Sequence, residues 1–182
     1  MQYFGKPGII KRFKQLDDDL LAIVGDKKRI DITIVGGSAL LLLDLVGDTR
    51  VTTDIDIMEV DVLAETLLER YNMNRHVETF RYHMPENWVE RRQKIPFQGE
   101  VIDIYAPSNE DLAALKLSAY REVDRRDLCD MVESGELDIT KLQAIIDNVV
   151  ELRVNYDDDS EWELFILRFN ELKALSGEKG RK

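Results

Sequence analysis

Two aspartates one residue apart, Asp54 and Asp56, lie in the segment 52–59, TTDIDIME. In an extended chain successive side chains point to opposite sides, so these two carboxylates share one face. Met58 is expected on that face as well, with Ile55 and Ile57 on the other. Two neighbouring carboxylates are costly to bury without a counter-charge. A divalent cation supplies one, and hard oxygen donors suit Mg²⁺ or Mn²⁺. Upstream, Gly36-Gly37-Ser38 follows the apolar run IDITIV at 30–35. Glycine tolerates positive φ and lets the backbone approach a ligand. The turn opens an apolar helix over 39–46, and the free N–H groups of a helix start suit a phosphate. The Ser38 hydroxyl is expected to add one hydrogen bond there. Taken alone, a Gly-Gly-Ser turn is an ordinary strand–turn–helix connection. Beside a carboxylate pair it reads as a site for a metal-bound phosphate.

Several elements must position these groups. Ile9, Phe13, Leu16, Leu20 and Val24 recur at three- and four-residue steps, which predicts an amphipathic helix over 8–24. The run 30–35 predicts a central strand, apolar on both faces near its end. A helix is expected over 62–71 and a weak strand over 75–84. The segment 101–105, VIDIY, predicts a further strand in which Asp103 stands between apolar neighbours. Ser108 and Asp111 have capping-box spacing for a helix carrying Leu112, Leu115 and Ala119, with Lys116 beside that stripe. Thr140, and Ser160 with Glu163, are expected to cap two later helices. The last of these carries Trp162, Phe165, Ile166 and Phe169 on one face.

Other candidates carry less. His76 and His83 are seven apart, a poor spacing for a metal pair, and zinc would call for more nitrogen or sulfur ligands. The stretch 85–94, PENWVERRQK, reads as an exposed charged turn anchored by Trp88, or as a basic lip beside the metal site. Asp157–Asp159 forms an acidic turn without EF-hand spacing. Cys129 is expected in a helix core.

The chain has 182 residues, 44% hydrophobic and 34% charged, with a formal net charge of -11. That composition fits a globular domain with appended helices. The acidic balance argues against indiscriminate nucleic-acid binding, though not against a local basic patch. A single cysteine rules out an intrachain disulfide framework and fits a reducing compartment. No signal peptide or membrane span is apparent, so the expected location is the cytoplasm.

A strand ending in Gly-Gly, a short helix and a strand with Asp-x-Asp resemble the DNA polymerase β-like nucleotidyltransferase superfamily. The longer form here, Gly36-Gly37-Ser38-Ala39-Leu40 followed by Arg50-Val51-Thr52-Thr53-Asp54-Ile55-Asp56, resembles a narrower branch: the nucleotidyltransferases of abortive-infection (type IV toxin–antitoxin) toxins and related uncharacterised bacterial proteins. The resemblance covers about residues 30 to 131. It implies an α/β (α+β) fold, with a small mixed sheet flanked by helices over 1–106, a helical C-terminal part over 107–176 and a flexible tail over 177–182. It implies Asp103 as the third carboxylate. By resemblance to the toxin-like branch, Lys116 would contact the nucleoside triphosphate (NTP), and Asp127 would orient it or a neighbouring basic group.

The implied activity is a nucleotidyltransferase reaction. Asp54, Asp56 and Asp103 hold Mg²⁺ (or Mn²⁺), and the Gly36-Gly37-Ser38 turn, Arg50 and Lys116 hold the β- and γ-phosphates. A hydroxyl attacks the α-phosphate and pyrophosphate leaves. The toxin resemblance implies RNA as acceptor, at a tRNA 3′ end, and a cognate antitoxin as partner. The alternatives are an antibiotic-type small-molecule transferase and a non-catalytic binding module retaining the fold.

Overall fold

A computed structural model of the chain describes residues 3–77, 84–148 and 158–179. The chain divides into two compact units, Met1–Thr79 with Arg92–Pro107, and Phe80–Arg91 with Ser108–Lys182.

The first unit holds a mixed sheet of five strands among the described residues, in the order β3-β2-β1-β5-β4. These are β1 (Ile30–Val35), β2 (Ile55–Val60), β3 (Met73–Asn74), β4 (Gln93–Lys94) and β5 (Ile102–Ala106). β1 is central, antiparallel to β2 and parallel to β5. Isoleucines line one face: Ile30, Ile32, Ile34, Ile57, Ile102 and Ile104 are all at most 1% exposed. That face is covered because β-branched side chains pack closely on a pleated surface, and two helices supply the opposing layer. Helix α1 (Lys6–Val24) packs on α2 (Gly36–Leu42), which packs on β1 and β2. The expected stripe on α1 is buried at Ile9, Phe13, Leu16 and Leu20. A short helix, α3 (Val62–Glu65), and a 3-10 turn (Leu68–Tyr71) stand where one continuous helix was expected.

Asp17 also lies on the buried stripe of α1, fully enclosed. Its carboxylate accepts the backbone N–H groups of Glu100, Val101 and Ile102 at 2.9, 3.0 and 2.9 Å. The start of β5 is therefore fastened to α1 by one side chain. Burial alone would push the Asp17 carboxyl up; the three N–H donors outweigh it and hold it below the usual carboxylate range.

The second unit is helical. It comprises a 3-10 turn (Trp88–Arg91), α4 (Asn109–Ala119), α5 (Glu122–Ser134), α6 (Ile139–Asp147) and α7 (Asp159–Lys179). Ser108 caps α4 as expected, accepting from the Asp111 N–H at 3.1 Å. Asp138, not Thr140, caps α6, because its carboxylate accepts the N–H groups of both Thr140 and Lys141. Trp162, Phe165 and Phe169 bury one face of α7. Residues 177–179 continue α7, and 180–182 lie outside the described residues. Cys129 is exposed, not in the core. Of the weak strand expected over 75–84, residues 78–83 lie outside the described residues, as do His83 and Asp157. His76 stands exposed in a turn. Among the described residues no helix is long and apolar enough to cross a membrane.

Candidate functional site

The polar side of the sheet carries the candidate chemistry. Gly36 follows β1 directly and has φ +65. A Cβ built on it would fall 2.4 Å from Oδ2 of Asp56, so the missing side chain is what admits the carboxylate. A Cβ on Gly37 would fall 2.9 Å from Nη2 of Arg50 and 3.8 Å from Oγ1 of Thr52. The turn therefore meets Asp56 at its first glycine and Arg50 at its second. The Arg50 guanidinium donates to the carbonyl of Val51. Asp54 just precedes β2 and accepts from Asn74 Nδ2 at 3.2 Å and from Thr53 Oγ1 at 3.4 Å. Thr52 Oγ1 donates to the Asp54 carbonyl at 3.0 Å, and its backbone bridges to Phe4. Gly36, Gly37, Arg50 and Asp56 meet at one end of β1 and β2, and Asp54 leads directly into Asp56.

Ser38 does not join them. It is 1% exposed, and its hydroxyl donates to the Val35 carbonyl at 3.1 Å. Helix α2 begins at Gly36, so Ser38 falls inside its first turn, where hydroxyls bond back to the chain. This corrects the expectation that Ser38 would reach a phosphate, and it shifts the helix from 39–46 to 36–42.

Asp103 is also elsewhere. On β1, Asp56 pairs with Val35, whereas Asp103 pairs with Asp31. Four residues separate those positions, roughly 13 Å along the strand, and β1 stands between the two aspartates. Asp103 is 12% exposed and fully engaged. Arg29 grips it from Nε and Nη2 at 3.0 and 2.5 Å, and Lys94 from Nζ at 2.7 Å. The Arg29 hydrogen bond leads in holding its pKa down to about 2, with Lys94 assisting against burial. Arg29 also donates to the carbonyls of Gly99, Glu100 and Ile102. Asp103 is thus a fastening at the far end of the sheet, and the third-carboxylate expectation is corrected. Among the described residues no group of three or more metal-ligating side chains converges.

A bulge changes the faces of β2. The pairing shifts between Thr33 and Ile34, so Ile57 faces Ile34 while Glu59 faces Thr33. The extra residue is Met58, which is 2% exposed. Strict alternation would place Met58 beside Asp56; the bulge places Glu59 there instead. Arg92 lies over the same face. Its Nη1 donates to Thr33 Oγ1 at 3.1 Å and stands 3.7 Å from Glu59 Oε2, and its guanidinium covers the Tyr105 ring at 4.9 Å. Nothing in the sequence marks Glu59 or Asn74 for this site. Glu59 was hidden by the bulge, and Asn74 sits in a two-residue strand with no periodic signature.

Lys116 and Asp127 belong to the second unit. Lys116 is 6% exposed and lies between Asp124 Oδ1 at 3.0 Å and Asp127 Oδ2 at 2.6 Å. Arg121 holds the other oxygen of Asp124 at 2.7 Å. Asp124, absent from the expected set, is thus a second partner of the lysine. The basic stretch 85–94 splits as well. Arg91 makes a two-pronged pair with buried Asp111 at 3.0 and 2.6 Å, while Arg92 and Lys94 serve the sheet.

A mixed sheet with a glycine turn set against an Asp-x-Asp strand defines a nucleotidyltransferase-like α+β fold. The chain belongs to the family described as nucleotidyltransferase of unknown function (DUF6036), whose model matches residues 11–176. No curated protein and no solved structure matches the chain.

Proposed function

We propose that the protein is a Mg²⁺-dependent nucleotidyltransferase that moves a nucleoside monophosphate from an NTP to a hydroxyl acceptor on RNA, at a tRNA 3′ end. The observation that carries this reading is the contact between Gly36 and Asp56, which sets a carboxylate directly against the glycine turn. Family membership supports the reaction class.

The donor set fits the metal. Mg²⁺ is commonly held by one or two carboxylates together with substrate phosphates, so Asp54 and Asp56 suffice without a third protein ligand. When bound, the ion would neutralise charge on the triphosphate. Arg50, packed against Gly37, is placed to take phosphate oxygens through charge-assisted hydrogen bonds. Asn74 keeps one Asp54 oxygen oriented, as outer partners of metal ligands do. The net charge of -11 favours a particular acceptor over general RNA binding. The likeness to abortive-infection toxins extends the proposal to a growth-arresting role, with a cognate antitoxin as partner.

Incubation with α-labelled NTPs, Mg²⁺ and total tRNA tests the reading. Labelled RNA is expected, lost in the Asp54→Ala/Asp56→Ala variant. Label only on an added aminoglycoside or lincosamide would move the acceptor to small molecules. Growth arrest that persists undiminished in the double variant would point to a non-catalytic module.

A further inference from the structure

We propose that Glu59 is the carboxylate that receives the proton of the attacking hydroxyl, and that Arg92 and Thr33 are the positioning residues that hold it. This rests on the nucleotidyl-transfer reading above. Three observations lead here.

The first is the bulge. Val35 faces Asp56 and Thr33 faces Glu59. Thr33 and Val35 are two apart on one strand and therefore share a face, so Asp56 and Glu59 share it too. The two acids stand on the order of 7 Å apart at the backbone, the length of two strand residues. Glu59 is therefore on the face of the sheet where a group bound at Asp56 would lie. No three-acid metal group is found among the described residues, so Glu59 is read as a partner of the substrate and not as a ligand of the cation.

The second is the partner. Arg92 stands 3.7 Å from Glu59, an ionic contact beyond hydrogen-bonding length. This contact ties Glu59 to the guanidinium that Thr33 and the Tyr105 ring fix on the same face. Glu59 and Arg92 are 32% and 24% exposed, against 12% for Asp103, so they remain accessible to an incoming group.

The third is an unfinished hydrogen bond. The Nε of Arg92 is buried and has no partner among the described residues. A buried donor without an acceptor is unfavourable, and a substrate oxygen is the kind of group that completes it. The guanidinium is otherwise fixed by Thr33 and the Tyr105 ring.

The step balances. The acceptor oxygen forms a bond to the α-phosphorus, and its proton passes to the Glu59 carboxylate. The bond from the α-phosphorus to the oxygen bridging to the β-phosphate breaks, and its electron pair leaves with pyrophosphate. Glu59 then returns the proton to solvent.

The experiment compares the full-length wild type with Glu59→Gln, Glu59→Asp and Asp103→Asn. NTP binding with Mg²⁺ is measured by calorimetry. Turnover is read as pyrophosphate release, with tRNA or water supplying the hydroxyl. Glu59→Gln is expected to bind NTP within about twofold of wild type and to lose 10²-fold or more in kcat, the usual range for a lost general base. Glu59→Asp should recover part of that loss, which a merely structural role would not produce. Asp103→Asn should turn over as wild type does. Turnover of Glu59→Gln within threefold of wild type overturns the proposal. So does a kcat loss of that size in Asp103→Asn with NTP binding intact. A wild type that binds no NTP overturns the nucleotidyl-transfer reading, and this proposal with it.

Discussion

Gly36 and Asp56 occupy one another's space: the carboxylate oxygen of Asp56 stands 2.4 Å from where a Cβ on Gly36 would be. Gly36 also has φ +65, a conformation that costs an L-residue about 1–2 kcal/mol. Gly36→Ala is therefore expected to destabilise the fold by at least that amount and to displace the Asp56 carboxylate. Urea denaturation measures the first effect. Calorimetry with Mg²⁺ and NTP measures the second, where a loss of tenfold or more in affinity is expected. Unchanged affinity would mean that the carboxylate is not held by the turn.

Asp103 is expected to matter for stability and not for turnover. Its folded pKa of about 2 lies below the ordinary value of 3.8. A depressed pKa contributes stability that is present above the unfolded value and lost as pH falls through the folded one. The contribution therefore fades between pH about 4 and about 2. Asp103→Asn should remove on the order of 1–2 kcal/mol at neutral pH, less than full linkage because Arg29 and Lys94 are partly exposed. Stability curves of wild type and variant should converge towards pH 2.

Asp17→Ala should be the more damaging change. It leaves the N–H groups of Glu100, Val101 and Ile102 without their acceptor, at about 1–3 kcal/mol for each group that stays buried. A total loss of about 3 kcal/mol or more is expected by urea denaturation. Hydrogen exchange at Val101 and Ile102 should speed up with it. Because the Asp17 pKa is also depressed, its contribution is present above pH about 4 and falls away at lower pH.

Lys116→Met should leave Asp124 and Asp127, each 1% exposed, without their shared counter-charge. Breaking such a buried arrangement from one side costs about 3–5 kcal/mol. A thermal melt should fall accordingly, with partial recovery when Asp127 is also changed to Asn. A variant that keeps its melting temperature but loses NTP affinity would instead support the phosphate contact implied by the family resemblance.

Much of the scaffold could be read from local pattern. The stripe on α1, the isoleucine-rich strands and the Ser108 cap all follow from periodicities set within a few residues. The glycine turn and the aspartate pair could also be read, because each needs particular residue types at short spacing. Register could not. Asp103 looks like a third ligand by its apolar flanks, yet its level on the sheet depends on which residue of β1 it meets. The bulge at Met58 is equally silent, since one extra residue leaves no mark on composition. Asp17 would have passed for a surface charge, because nothing in α1 reveals that β5 presents three amides to it. Ser38 was misplaced by three residues of helix boundary, which was enough to turn a ligand group into an internal tie.

The bulge also bears on how this strand can vary in length. Deleting Met58 would restore continuous pairing with β1, leaving Ile57 opposite Ile34 and Glu59 opposite Thr33. Glu59 would then stand two places after Asp56 and keep its face by plain alternation. Loss of position 58 should therefore leave the two acids on one face, whereas loss of a second residue between them would turn Glu59 to the isoleucine side. Natural variants can carry this strand with or without the extra residue and still preserve the pair.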